Sequence, residues 1–310
     1  MDQPLHGNMT SKPGEARLGR RFTACDTRMD KGSHLGVVDS ILASQLAYRT
    51  SEAAFDSDFE AWFREPQAEA EWSLRRRINE TAEESVEIDG QPQSVVRYFA
   101  ADSVPWGVHL IGVRGTTVGR DVVANLDIFA EGALLDAVFA LLPGGSFVES
   151  DWKAWMAARV ARITSPLRAI GVDDNIVGLE RFVDDLAKED AATSRSMDTV
   201  IVGHSLGGAV ALLVAARQDV RAIGVSPPGL GMTRGKFGVS LEALQRHGYA
   251  VHPTHDWVSL IDERVVPSQG WPCDLQEWGT HGCHMLDAPW ELFSNTCGDV
   301  YGRTMLATTG

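Results

Sequence analysis

The sequence predicts an α/β fold with a mainly parallel central sheet and helices on both faces. Three observations carry that expectation. Between residues 176 and 256 the pattern runs helix, strand, helix, strand, helix, strand, which is how parallel strands with crossover helices read. The apolar run "TVIV" passes through Gly203-His204-Ser205-Leu206-Gly207 into the Ala/Leu-rich "AVALLVAA". A chain of 310 residues, 44% of them hydrophobic, is also long enough to bury a sizeable core.

Taken in order, residues 1–34 are polar and without period, and read as a mobile or wrapped arm ahead of a domain spanning 35–310. "GVVDSILASQLAYR" then sets Val37, Ile41, Leu42, Leu46 and Tyr48 at roughly helical spacing. "SVVRYFAAD" and "WGVHLIGVRG" read as consecutive strands with a turn at Ser103–Pro105. "EGALLDAVFALLPGG" is a short apolar helix stopped by proline and glycine. It suits a core or an acyl-chain pocket equally, since both need the same residue types. Two amphipathic helices, "SDWKAWMAARVARITSPLRAIG" and "NIVGLERFVDDLAKED", lead to the strand "DTVIVG". After the Ala/Leu helix come the strand "VRAIGVSPPG", the helix "SLEALQRHG" and the strand and loop "YAVHPTHDWVSLID".

The serine among glycines is the focus. In G-x-S-x-G the serine occupies a sharp strand-to-helix turn, where the residues two before and two after approach too closely to carry a Cβ. Gly203 and Gly207 hold those places around Ser205. A serine hydroxyl is a weak nucleophile until an imidazole takes its proton and a carboxylate orients the imidazole. In the order Ser, acid, His, Asp256 and Asp262 are the acids near a strand end. Asp256 is preferred because it directly follows "YAVHPTH". His281 and His284 both fit the base, and spacing alone does not separate them. The Leu206 amide, with Thr116 of "VRGTT", would serve the oxyanion. "TTVGRDVVANLDIFAEG" sets Val118, Val122, Leu126 and Phe129 at helical spacing. That reads as a hinged lid at about 117–132 or, equally, as a fixed core helix.

A net charge of −14 argues against nucleic acid and against docking on anionic lipid, and leaves lipid substrates open. No cofactor is expected. The first 34 residues hold no apolar run of signal-peptide length and no stretch reaches a membrane span. The default expectation is a cytoplasmic protein, or a secreted one if a leader was removed. Cys273, Cys283 and Cys297 cluster with His281 and His284, but the spacing is irregular for zinc. A bridge such as Cys283–Cys297 would pin the loop bearing His284.

These segments resemble the class 3 lipases, the fungal-lipase-like branch of the α/β-hydrolases, over roughly residues 90–303. "GVRGTT" looks like that family's oxyanion strand and "VIVGHSLGGAVALLVA" its serine elbow. "THDWVSLID" is similar to its acid segment, with Ser259 where proline is usual, and "GCHMLDAPWELFSNTCGDVYGR" to a C-terminal segment of a microbial subset. The resemblance implies an α/β-hydrolase fold and a serine carboxylester hydrolase, most simply a triacylglycerol lipase or esterase acting on lipid or ester, including at a lipid–water interface. Phospholipase A1, mono- or diacylglycerol lipase and a non-catalytic binding scaffold are the alternatives. It implies Ser205 as nucleophile, Asp256 as acid, His284 as base, and Thr116 with Leu206 at the oxyanion. Two departures lie outside the triad: Asp121-Val122 replaces the usual Asp-Trp, and "GGSFVES" the usual His-x-Gly-Phe.

Overall fold

Runs such as "VHLIGV" and "TVIVG" have no polar face to turn toward water, so they suit a sheet covered on both sides. In the computed structural model they lie at the middle of seven strands. These are β1 (Ser73–Ile78), β2 (Tyr98–Ser103), β3 (Val108–Val113), β4 (Asp198–His204), β5 (Arg221–Val225), β6 (Gly248–Pro253) and β7 (Ser268–Trp271), side by side in chain order. β1, β2 and β3 pair antiparallel, whereas β3 to β7 run parallel. A separate ribbon pairs Val86–Ile88 with Gln91–Gln93. The structure describes residues 22–32, 34–78, 86–88, 91–93, 96–115, 151–156, 159, 173–254 and 256–305.

The helices are α1 (Thr23–Asp26), α2 (Val37–Leu46), α3 (Glu52–Phe59), α4 (Asp173–Thr193), α5 (Leu206–Gln218), α6 (Thr233–Lys236), α7 (Leu241–His247), α8 (Leu275–His284) and α9 (Asp287–Cys297). Because the strand order never reverses, right-handed crossovers put the connecting helices on one face. There α4, α5 and α7 pack in one core with Ile111, Val113 and Ile201. On α4 the stripe Ile176, Leu179, Phe182, Val183 and Leu186 faces that core. In α5 every residue from Gly207 to Ala215 is buried, as an Ala/Leu helix wedged against a sheet must be.

The opposite face is covered by the two ends of the chain. All ten residues of α2 are buried. Phe55 and Phe59 of α3, Phe63 just beyond it and Phe293 of α9 join Phe99, Leu110, Val200 and Val225 in a second core. Burying each such ring stabilises the fold by about 1.5–3 kcal/mol. Residues 22–32 wrap against the sheet edge: the Thr23 amide donates to the Gln269 side chain (3.1 Å), and Cys25 is bridged to Cys297. The rest of the expected arm (1–21), the lid at about 117–132, the helix at 131–145 and most of 151–172 lie outside the described residues.

Candidate active site

β4 ends at His204, and the chain turns at once into α5. At that corner Ser205 has φ 55° and ψ −130°, a strained conformation for any residue with a side chain. The corner closes only without Cβ atoms. One added at Gly203 would lie 2.4 Å from the Gly207 carbonyl oxygen, and one at Gly207 2.6 Å from the Val113 carbonyl oxygen. The Ser205 amide donates to the Val225 carbonyl (2.9 Å), which ties the turn to β5. Leu206 opens α5, so its amide is among the first-turn N–H groups that have no acceptor within the helix.

Asp256 lies three residues past β6 and is fully buried. Its Oδ1 accepts from the Val258 amide (3.0 Å), and its Oδ2 accepts from the Ser259 hydroxyl (2.6 Å) and from His284 Nδ1 (2.9 Å). Burial alone would raise its pKa. The bond and charge of His284 and the Ser259 and Val258 donors outweigh burial and hold the carboxyl below its ordinary value. Ser259 turns its hydroxyl to the Asp256 carboxylate. His284 ends α8, and its Nε2 is 2.9 Å from Ser205 Oγ. An Nδ1–H given to the carboxylate leaves Nε2 as acceptor for the serine proton. All three groups thus meet beyond the C-terminal ends of parallel strands, where open α/β sheets present their clefts.

The other candidates have different surroundings. Asp262 turns away: its carboxylate accepts from the amides of Met232 (2.9 Å), Thr233 (2.8 Å) and Glu263 (2.6 Å), and so clasps the start of α6. His281 is exposed and makes no contact with Ser205 or Asp256 among the described residues. Thr116 lies outside the described residues, directly after Gly115. No cluster of metal-ligand residues occurs among the described residues, and no helix there is long and apolar enough to cross a membrane.

The expected Cys283–Cys297 bridge is corrected by the structure, which pairs Cys273 with Cys283 and Cys25 with Cys297. The reason is distance. Cys283 precedes α9 and Cys297 ends it, and eleven helical residues rise about 16 Å, far beyond the roughly 7 Å that a disulfide spans between Cα atoms.

Sequence reasoning missed two side chains beside the Ser205–His284–Asp256 line. His204, buried inside the motif, donates from Nε2 to the His284 carbonyl (2.7 Å) and receives the Tyr48 hydroxyl at Nδ1 (2.8 Å). Burial, followed by the neighbouring His284 charge, pushes its pKa down to about 3. Tyr48 follows α2; burial raises its phenol above the ordinary value against the opposing pull of Arg114. The Arg114 guanidinium lies over the Tyr48 ring (5.7 Å). The variable position of G-x-S-x-G offered a signal for His204; nothing local pointed to Tyr48.

Residues 110–226 match the family described as Lipase (class 3). No curated protein matches the chain. Among solved structures, the native lipase–propeptide complex of Rhizomucor miehei is 13% identical, covering 71% of this chain and 60% of that one, with a TM-score of 0.36. This chain therefore spans less than two thirds of that neighbour. A triacylglycerol lipase from Penicillium expansum is 13% identical over 79% of this chain and 89% of that one (TM-score 0.34). A lipase from Yarrowia lipolytica is 14% identical over 76% and 75% (TM-score 0.36).

Proposed function

We propose that this chain, class 3 lipase-like by its residues 110–226 and an α/β-hydrolase by its fold, is a serine carboxylester hydrolase of the lipase or esterase kind, with acylglycerols as its substrates. One observation carries the reading. Ser205 Oγ, the His284 ring and the Asp256 carboxylate form a continuous hydrogen-bonded line, 2.9 Å at each step. Chemistry of this type needs a nucleophile, a base and an orienting acid in that relation.

In this mechanism His284 Nε2 takes the hydroxyl proton as Ser205 Oγ bonds to the ester carbonyl carbon. The carbonyl oxygen becomes an anion held by the Leu206 and Thr116 amides, and Asp256 stabilises the imidazolium. The C–O bond to the alcohol then breaks as His284 returns its proton to the leaving oxygen, which leaves an acyl-serine. Water, deprotonated by His284, attacks that ester; Ser205 regains its proton and the fatty acid departs.

A fluorophosphonate probe together with a panel of p-nitrophenyl esters, a triglyceride and a phospholipid tests the reading. The expected outcome is covalent labelling that disappears in Ser205→Ala, with carboxylester and triglyceride turnover that disappears with it. Labelling absent from folded wild-type protein, or retained in Ser205→Ala, would favour a non-catalytic scaffold and sink the hydrolase. Turnover of phospholipid alone would reassign the substrate.

A further inference from the structure

His204 is buried and Tyr48 partly buried; both are polar and unused by the triad chemistry above, yet both touch it. The tautomer of His204 follows from its partners. A carbonyl oxygen only accepts, so the Nε2 that faces the His284 carbonyl must carry the proton. In the neutral ring Nδ1 is then a lone pair, and the Tyr48 hydroxyl must donate to it. The two rings beside the serine lie 4.8 Å apart by centroid. A charge on His204 there would oppose the imidazolium that His284 becomes, whereas a neutral ring held by two bonds does not.

The same two residues meet the strand that leads to the oxyanion segment. A Cβ at Gly115 would fall 2.4 Å from both the Tyr48 hydroxyl and the His204 carbonyl oxygen, and 3.3 Å from Ser205 Cβ. Tyr48 sits at the end of α2, whose ten buried residues and packing against β4 and β5 make it a rigid support. Its ring meets His204 edge-on, with centroids 5.7 Å apart.

We propose that Tyr48 and His204 are positioning residues: a two-bond strut from the end of α2 to the backbone of His284 that sets the base relative to Ser205 and seats the exit of β3 at Gly115. This rests on the hydrolase reading for its effect on rate, but not for its hydrogen bonding. The strut holds the peptide of His284, while Asp256 holds its ring. Two anchors on different parts of one residue fix both the position and the angle of the imidazole, which a single bond leaves free to swing.

The test uses the full chain. Tyr48→Phe removes one oxygen and His204→Gln keeps a donor for the His284 carbonyl, so both retain the packing; His204→Ala removes both bonds. Each bond lost lowers kcat on a soluble p-nitrophenyl ester by roughly two- to tenfold. KM stays unchanged and the rate of fluorophosphonate labelling falls in parallel. Tyr48→Phe adds nothing further in the His204→Ala background, because the bond it removes is already gone. Histidine 15N NMR gives a readout free of catalysis: Nε2 of His204 protonated and protected, Nδ1 unprotonated and shifted by Tyr48→Phe. The opposite tautomer, an unshifted Nδ1, or folded Tyr48→Phe and His204→Ala variants with wild-type kcat would each overturn the strut. Additive losses, or losses confined to KM and thermal midpoint, would do the same. A wild-type chain that fails to label but shows this NMR pattern would instead overturn the hydrolase reading alone.

Discussion

The serine and the histidine that face each other across 2.9 Å are held by different kinds of structure. The serine end is local. β4, the strained corner and α5 lie within one continuous stretch, and its glycines leave room for one path only. The histidine end is assembled from afar. α8 is broken by a non-helical Gly279 (φ 65°) and is anchored by the Cys273–Cys283 bridge and by the bond from His204 to the His284 carbonyl. Backbone sterics thus place Ser205, and long-range contacts place His284. A Cβ added at the glycines of the first acts on folding, and lost contacts at the second act on rate.

The largest contrast is expected within α8 itself. His284→Ala lowers kcat by roughly 10⁴- to 10⁶-fold, while His281→Ala, on an exposed ring, keeps most of the activity; steady-state kinetics on a soluble ester reads both. The reverse result would move the base one turn earlier in the helix.

At the serine end, Gly207→Val meets the backbone of Val113 and Arg114 at 2.6–2.7 Å. A clash with immovable backbone costs more than about 4 kcal/mol, so urea titration finds little folded protein. A folded, stable variant would show that the corner tolerates a Cβ.

The two disulfides sharpen the comparison. In chain-entropy terms the Cys25–Cys297 bridge, with 272 residues of separation, contributes about 5.6 kcal/mol, against roughly 2–3 kcal/mol for the ten-residue Cys273–Cys283 loop. Yet Cys283 is the neighbour of His284. Replacing Cys25 and Cys297 by alanine therefore lowers the unfolding midpoint more. Replacing Cys273 and Cys283 lowers kcat more, on the order of tenfold for a displaced base. Thiol titration of unfolded protein gives no free thiols before reduction and four after it.

The last effect is a pH dependence of stability. His204 titrates at about 3 in the fold, against 6.5 for an unperturbed imidazole, so between those limits the unfolded chain binds the extra proton. Its contribution is complete above pH 6.5 and is lost as pH falls toward 3. Asp256, held below 3.8, contributes above that value, and its share is lost as pH falls through its lower folded pKa. Thermal midpoints measured from pH 7 to 4 fall with acid in the wild type and less steeply in His204→Gln; equal slopes would contradict the buried neutral ring.

Much of the parallel half was legible in the sequence because its signals are short-ranged. "TVIVGHSLGGAVALLVA" states a strand, a Cβ-free corner and a buried helix in order, and the spacing of Ser205, Asp256 and His284 follows the chain order that such a corner requires. What the alternation of helix and strand left open was the second face of the sheet. Strands laid down in unbroken order send α4, α5 and α7 to one side, so α2, α3 and α9, drawn from opposite ends of the chain, must cover the other. Only that closure decides which cysteines meet, turns Asp262 toward α6, and brings Tyr48 to His204 from 156 residues away. The sequence determined the corner at Ser205, since sterics act between neighbours. The tertiary structure decided its partners, since burial and hydrogen bonding act between whatever the packed chain brings into contact.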